Sequence, residues 1–308
     1  MVRIVDCVIA YNETEMLEIR TAELAEIIDA FVVVEASKTH RYEDKPLYFS
    51  GVSDKYAQSG RTVVYYVLDD IPSAFQDRTE LYYIVENFHR NSIMRPLSTM
   101  NLDDNDIILI SDIDEIPRSE CVQQLPDLLA EADIVIFEQI MKKFFVNNAS
   151  STCANNLPWR GTVACRYGML KGVTPQGARL GDPFQQRAAC VGGAREPRGH
   201  ERIIANGGWH FSSMGGASAF DIKHSAIVEG PGGSRFGAID GRFGRHNHSK
   251  QREEHAEIYQ SFLDALAPEL AEVDLADIAS VHALDIPDCI KADPRKYEFL
   301  FYLKNPIV

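Results

Sequence analysis

The chain has 308 residues, of which 45% are hydrophobic and 25% are charged. These values exclude a wholly disordered chain and allow a substantial buried core, in one large domain or two small ones. The net charge of -14 argues against binding of DNA or RNA, whose phosphates need Lys and Arg. The six scattered cysteines form no CxxC pair, which argues against a structural zinc site.

The N-terminal segment MVRIVDCVIAYNE predicts a first strand and not a secretory leader, because its apolar run is short and acidic residues flank it. The sequence has no run of roughly 20 apolar residues, the length that a membrane-spanning helix needs. Together with the unpaired cysteines, these features predict a cytoplasmic protein with no transmembrane segment, which leaves peripheral membrane contact open.

Five apolar or β-branched runs predict strands over residues 2–10, 30–35, 62–67, 106–110 and 133–137. Apolar residues at helical spacing predict helices over 13–29, 78–98 and about 118–131, the last with Ser119 as N-cap. Alternating strands and helices predict an α/β fold with a largely parallel sheet covered by helices on both faces. Such sheets bind ligands at the carboxyl ends of their strands.

The central stretch, residues 151–250, differs from the rest of the chain. It holds 18 of the 20 glycines, which predicts a loop-rich region with short strands such as 203–211. It also carries 13 Lys and Arg against 6 Asp and Glu, so the remaining residues carry a net charge of -21. This basic stretch is suited to an anionic substrate, and equally to a solvated loop surface. From about 251 to 270 the pattern is helical again.

An acidic cluster directly follows the fourth predicted strand, in the segment IILISDIDEIP (107–117). Asp112, Asp114 and Glu115 repel one another unless a cation or a basic group neutralises them. Mg²⁺ and Mn²⁺ favour oxygen ligands, which they share between carboxylates and substrate phosphates. If the backbone is extended here, the two aspartates point to the same side. The segment therefore predicts a site for a divalent metal and a diphosphate, whereas an acidic loop or a helix cap is the alternative.

Five segments in chain order give the sequence a resemblance to glycosyltransferase family 17. They are YNETEMLEIRTAEL (11–24), DAFVVVEASKTHRYEDKPLYF (29–49), ISDIDEIP (110–117), NGGWHFSSMGG (206–216) and DIPDCIKADPRKYEFL (285–300). Residues 139–200 match weakly, so the resemblance leaves the acceptor open.

The resemblance implies a single GT-A-like domain over residues 1–308 with a Rossmann-type sheet. Its parts would be a nucleotide-sugar-binding half (1–145), a glycine-rich acceptor and metal-site half (146–250) and a C-terminal helical segment (251–308). It also implies an inverting transfer, with Mn²⁺ or Mg²⁺, from a UDP-sugar, expected to be UDP-N-acetylglucosamine. The acceptor would be a glycan or a lipid-linked glycan.

On this reading Asp112, Asp114 and Glu115 form the catalytic cluster, and Asp112, Asp114 and His210 are the expected metal ligands. For Asp112 three roles stay open: direct binding of the ion, binding of the ion through water, and binding of the ribose. His210 is alternatively a core histidine. The expected substrate-binding residues follow strands or lie on nearby loops and helices: Tyr11, Asn12, Glu13, Glu35, Lys45, Arg90 and Trp209. Trp209 suits a sugar face and a core position equally.

Several further basic residues are candidates for diphosphate neutralisation, namely Arg20, Arg95, Lys223, Arg242 and Arg245. The general base that an inverting enzyme needs stays open among Glu115, Glu138, Asp182 and Asp221. Two other functions remain as alternatives. One is a non-catalytic protein that binds nucleotide sugars or carbohydrates, and the other is a metal-dependent phosphoesterase, against which the shortage of nearby histidines argues.

Overall fold

The computed structural model describes residues 2–58, 60–77, 81–148, 159–180, 200–216, 256–257, 259–261, 263–264, 270 and 272–303. Within these ranges, no helix combines the length and the apolar character that crossing a membrane requires.

The described chain contains eight strands and ten named α-helices, most of them short. The strands are β1 (Ile4–Ala10), β2 (Ala30–Ala36), β3 (Val63–Leu68), β4 (Ile107–Asp112), β5 (Glu115–Pro117), β6 (Ile134–Lys143), β7 (Trp159–Arg166) and β8 (Glu201–Ser212). The helices are α1 (Thr14–Glu23), α2 (Val52–Ala57), α3 (Leu81–Asn91), α4 (Met94–Leu97), α5 (Ser119–Val122), α6 (Leu125–Glu131), α7 (Tyr167–Leu170), α8 (Pro175–Leu180), α9 (Ile278–His282) and α10 (Asp288–Ala292). Short 3-10 helices cover Ser73–Asp77 and Glu298–Leu300.

All eight strands form one sheet in the order β3-β2-β1-β4-β7-β6-β8-β5. The strands β3, β2, β1 and β4 pair in parallel, as predicted for this part of the chain. The prediction of a mostly parallel sheet is not confirmed for the whole molecule, because β7 runs antiparallel to both β4 and β6, and β5 runs antiparallel to β8. The pair β6 and β8 is parallel again. The fold is therefore a mixed α/β sheet flanked by helices.

The sheet must curl, because β4 and β5 are joined by only two residues. From Asp112 to Glu115 the chain spans at most about 10 Å. In a flat sheet, four strand spacings would separate β4 from β5, which is about 19 Å. Curling brings the end of β4 close to the β8–β5 edge and places the acidic segment between them.

Helices cover both faces of the sheet. On one face, α1 and α10 pack against alternate residues of β1 and β4, among them Val8 and Leu109. On the other face, α3 and α8 pack against the intervening residues, among them Cys7 and Ile110. Both faces of the parallel strands are thus apolar, which explains why these strands were recognisable as continuous hydrophobic runs.

The helices are shorter than their periodicity indicates. The predicted helix 118–131 is two helices, α5 and α6, and Arg118 rather than Ser119 occupies the N-cap position of α5. The described part of the predicted helix 78–98 is divided between α3 and α4. Most of the predicted helical stretch 251–270 lies outside the described residues.

Candidate functional site

The carboxyl ends of β1, β2, β4, β6 and β8 lie at one edge of the sheet. The strands β6 and β8 run in the same direction as β1 and β4, because the two antiparallel pairings of β7 reverse the direction twice. Asp112 pairs with Ile9 at the end of β1, and Glu115 pairs with His210 on β8. Curling of the sheet therefore brings the acidic segment and the later histidine together at this edge.

The acidic segment is a turn and not an extended strand. β4 ends at Asp112, and Ile113 and Asp114 form the turn that leads into β5. The extended backbone that would place both aspartates on one side of a strand is therefore not found. The backbone is held by Arg20, which donates to the Glu115 carbonyl at 2.6 Å and to Ser111 Oγ at 2.9 Å.

Arg20 is a structural residue. Its guanidinium is fully buried and forms a two-pronged ion pair with Asp6 at 2.5 and 2.6 Å. The prediction that Arg20 neutralises a diphosphate is wrong for this reason. Its role is to join α1, β1 and the acidic turn, which makes the turn rigid before any ligand arrives.

Glu115 is also buried and has several donors around its carboxylate. Oε1 accepts hydrogen bonds from Arg179 Nη2 at 2.6 Å and from Trp159 Nε1 at 2.7 Å. Oε2 accepts from the Asp112 amide at 2.9 Å and from Arg179 Nη1. A carboxylate with 0% exposure cannot reach an acceptor hydroxyl, so the prediction of Glu115 as a catalytic residue or general base is corrected. Glu115 fixes the turn and Arg179.

Gly161 on β7 allows this arrangement. An alanine Cβ there would overlap Glu115 Oε1 and Trp159 Nε1. We expect Gly161→Ala to lower the free energy of unfolding by at least about 1–3 kcal/mol, the usual cost of overpacking a well-packed core, and to separate Arg179 from Glu115. Urea denaturation measures the loss. Gly172→Ala is the matched control, because among the described residues its Cβ would meet only the Met169 carbonyl, at 3.8 Å. Equal stability of the two variants would contradict the prediction.

Asp112 lies between two guanidinium groups. Arg90 Nη2 is 2.7 Å from Oδ1, and Arg179 Nη2 is 3.0 Å from Oδ2. Burial raises the pKa of Asp112, but Arg179 and Arg90 lower it more, so the pKa lies well below its usual value despite the nearby Asp114. Asp112 is therefore ionised at neutral pH. The structure places Arg90, a predicted diphosphate ligand, at the acidic turn.

Asp114 and His210 face each other across the β5–β8 junction. His210 Nε2 lies 3.7 Å from Asp114 Oδ1, and both side chains are mostly buried. The Trp159 ring covers the imidazole, with ring centroids 4.3 Å apart. Within the described part of the chain, the buried His210 Nδ1 has no hydrogen-bond partner. The carboxylate and the imidazole thus form a mostly buried polar pair beside the charged acidic turn.

The loop after β2 corrects two predictions. Glu35 is fully buried and accepts hydrogen bonds from Lys45 Nζ at 2.5 Å and Tyr65 Oη at 2.7 Å, as well as from the amides of Tyr48 and Phe49. It anchors the loop, because each of its oxygens accepts two hydrogen bonds from within the protein. Burial lowers the pKa of Lys45, although Glu35 opposes this, and its ammonium is held by Glu35 rather than exposed to a diphosphate.

Trp209 is a core residue, the second of its two predicted roles. Its ring is buried beneath the Arg118 guanidinium, 4.1 Å from the ring centroid, and its Nε1 donates to the backbone and side-chain oxygens of Asp285. Arg118 also pairs with Asp285 at 2.6 Å. These contacts fasten the C-terminal segment to β8, and they leave no open face for a sugar.

Tyr11, Asn12 and Glu13 are half-buried directly after β1, at the same edge as Asp112. Glu13 Oε2 accepts hydrogen bonds from the amides of Tyr11 and Asn12 at 3.3 and 3.1 Å. Burial, together with Tyr48 and Glu13, raises the pKa of Tyr11 to about 12, so its hydroxyl stays protonated. These three residues keep their predicted position beside the acidic turn.

Of the other candidates, two form ion pairs with partners outside the acidic turn and five lie outside the described residues. Arg95 pairs with Asp70 at the surface, and Glu138 pairs with Arg160 at 2.6 Å. The remaining predicted residues lie outside the described ranges, namely Asp182, Asp221, Lys223, Arg242 and Arg245. Sequence reasoning missed Trp159 and Arg179, which are distant in sequence from the acidic turn and carry no recognisable spacing to it.

Comparison with known proteins shows the family of the chain. The model of the family "Glycosyltransferase family 17" matches residues 1–165, which include β1 to β4, the acidic turn and most of β7. The human beta-1,4-mannosyl-glycoprotein 4-beta-N-acetylglucosaminyltransferase is 28% identical over 124 residues, which are 39% of this chain and 23% of the human protein. The Rattus norvegicus protein of the same name is 28% identical over the same length, 22% of its own chain.

The matched segment is thus less than a quarter of these relatives, whereas the family model covers more than half of the present chain. Arg179 on α8 and His210 on β8 lie beyond the matched residues and contribute to the same site. Because the family model matches more than half of its residues, this chain belongs to glycosyltransferase family 17.

Proposed function

We propose that this protein transfers a sugar from a nucleotide-sugar donor to an acceptor hydroxyl, with a divalent cation at the carboxyl edge of the sheet. The observation that carries the proposal is the Asp114–His210 pair, which a family-17 chain presents beside a rigid acidic turn. The donor, the cation and the acceptor are each part of the proposal.

The charge of the described site fits a divalent cation. Four carboxylates (Glu86, Asp112, Asp114 and Glu115) stand against two guanidiniums (Arg90 and Arg179), which leaves a formal charge of -2. Carboxylates this close together favour a cation among them. A neutralising ion of charge +2 would balance the cluster before the donor binds.

The available ligands support a site completed by substrate. Among the described residues, no group of three or more His, Cys, Asp and Glu side chains is arranged to hold a metal ion. Mg²⁺ and Mn²⁺ commonly take only one or two protein carboxylates and share the rest of their shell with water and phosphates. Asp114 and His210 supply such a partial shell, and the nitrogen ligand favours Mn²⁺ over Mg²⁺. When bound, the cation would stabilise charge on the leaving diphosphate.

The residues of the chain itself would position the donor. Arg20 and Glu115 hold the acidic turn in place, so little reorganisation is needed when the donor binds. Tyr11 and Asn12 lie at the same edge, where a nucleotide bound at the ends of β1 and β4 would contact them. The relatives named above are N-acetylglucosaminyltransferases, and on this ground we propose N-acetylglucosamine as the transferred sugar. UDP as its carrier and a glycan or lipid-linked glycan as the acceptor are further parts of the proposal.

The proposal is tested by measuring UDP release from UDP-N-acetylglucosamine, UDP-glucose and UDP-galactose by the purified chain, with a panel of oligosaccharide acceptors. We expect release with Mn²⁺ and none after treatment with EDTA. Release that is equally fast in EDTA would refute the metal-dependent transferase. Tight donor binding without release against any acceptor would instead identify a binding protein, and hydrolysis of generic phosphate esters would identify a phosphoesterase.

A further inference from the structure

Asp112 is the more exposed member of two ion pairs whose arginines are buried. Its side chain is 32% exposed, whereas the side chains of Arg90 and Arg179 are 1% and 6% exposed. Each carboxylate oxygen accepts from a different guanidinium. The aspartate therefore lies on the solvent side of two buried cations at the carboxyl edge of the sheet.

Both arginines keep their positions by contacts other than Asp112. Arg90 donates to Glu86 Oε1 at 2.9 Å and to Gln176 Oε1 on α8. Arg179 forms its two-pronged pair with the buried Glu115. The backbone of Gln176 is itself held in place, because its backbone N–H donates to Asn91 Oδ1 at 3.0 Å. Turning Asp112 away towards water would leave two oriented guanidiniums in place.

Arg90 also has unused donor capacity. A guanidinium carries five N–H groups. Within the described part of the chain, the buried Arg90 Nε has no hydrogen-bond partner. Arginine is the side chain best suited to bind two oxygens of a phosphate group at once, and phosphate competes for the same donors as carboxylate.

We propose that Arg90 and Arg179 bind the diphosphate of the donor and that Asp112 is their counter-ion in the free protein, released when the diphosphate enters. Asp112 then positions the arginines and is not a ligand of the cation, which Asp114 and His210 hold. This inference rests on the proposed nucleotide-sugar donor. It assigns the two aspartates of the acidic turn to opposite tasks, one to the arginines and one to the cation.

The test uses isothermal titration calorimetry of the full chain with inorganic pyrophosphate in EDTA. Asp112→Asn removes the competing charge and is isosteric at a partly exposed position. We expect it to tighten metal-free pyrophosphate binding about tenfold, the scale of one weakened ion pair to a charged group. Unchanged or weaker binding in this variant would overturn the inference.

Two further variants give independent readouts. Arg90→Lys keeps the charge but loses the planar fork, and should weaken metal-free pyrophosphate binding several-fold. Asp70→Asn removes the carboxylate from a surface pair with Arg95 and should leave pyrophosphate binding unchanged. Arg179→Gln is avoided, because Glu115 would lose its buried partner and the variant would be prone to unfold.

A titration with Mn²⁺ alone separates this inference from the proposed function. Asp112→Asn removes one negative charge near the proposed cation and should weaken Mn²⁺ binding less than Asp114→Asn does. An equal loss of Mn²⁺ affinity in the two variants would make Asp112 a metal ligand and refute its counter-ion role. If the wild type binds UDP with Mn²⁺ but Asp112→Asn does not tighten pyrophosphate binding, only the arginine site fails. If the wild type binds UDP neither with Mn²⁺ nor in EDTA, the proposed function fails as well.

Discussion

Asp114→Asn is expected to reduce sugar transfer by at least about 100-fold, because removing one electrostatic anchor of a developing negative charge commonly costs two to three orders of magnitude. Asp114 is one of the two side chains proposed to hold the cation, and its oxygen lies 3.7 Å from His210 Nε2. The substitution keeps the shape of the side chain and removes its charge. The initial rate of UDP release at saturating donor and Mn²⁺ measures the effect.

The matched control is Asp288→Asn. The Asp288 side chain is 96% exposed at the start of α10 and pairs only loosely with Lys291. Its rate should equal that of the wild type. Both variants should unfold at the same urea concentration as the wild type within error, so that a loss of rate reports on the site. Activity of Asp114→Asn within fivefold of the wild type would remove Asp114 from the cation site.

Glu115→Gln is expected to lower the free energy of unfolding by about 3 kcal/mol, the lower end of the cost of breaking a buried ion pair. The lower end applies because Arg179 keeps Asp112 as a second partner. The carboxylate is fully buried, and the neutral amide would leave Arg179 with a partly uncompensated charge. It would also present an NH₂ group to the donors that now surround the carboxylate.

Urea denaturation followed by circular dichroism measures this change. Glu120→Gln on the exposed surface of α5 is the control, and it should stay within about 0.5 kcal/mol of the wild type. A Glu115→Gln variant that keeps full stability but loses transfer would restore Glu115 as a catalytic residue. Loss of stability greater than in the control supports its structural role.

The strands β1, β2 and β4 were predictable because burial on both faces makes them continuous apolar runs. The edge strand β3 is half-buried in its middle and was predictable from its β-branched and aromatic residues. The strand β7, with the sequence WRGTVACR, was not predicted, since Arg, Gly and Thr interrupt its first half and leave no continuous apolar run. Its antiparallel direction could not be predicted either, because strand direction depends on long-range pairing. The sequence therefore predicted the α/β class but not the mixed sheet.

The location of the site was predictable from the position of its aspartates in the sequence. Asp112 and Asp114 follow a buried strand, and that placement indicated the carboxyl edge before any geometry was known. The sequence could not show which charges are neutralised inside the protein. Glu35 and Glu115 resemble site residues in sequence, yet both are buried among donors that come from distant segments. Arg179 was missed for the same reason, since its two carboxylate partners lie more than sixty residues away in the chain.

The most direct test of the cation site is a crystal of the protein grown with Mn²⁺ and UDP, with diffraction data collected at the manganese absorption edge. The anomalous signal is expected between Asp114 Oδ1 and His210 Nε2, within bonding distance of both and of the diphosphate oxygens. A bound UDP with manganese located away from this pair, or with no manganese at all, would contradict the account.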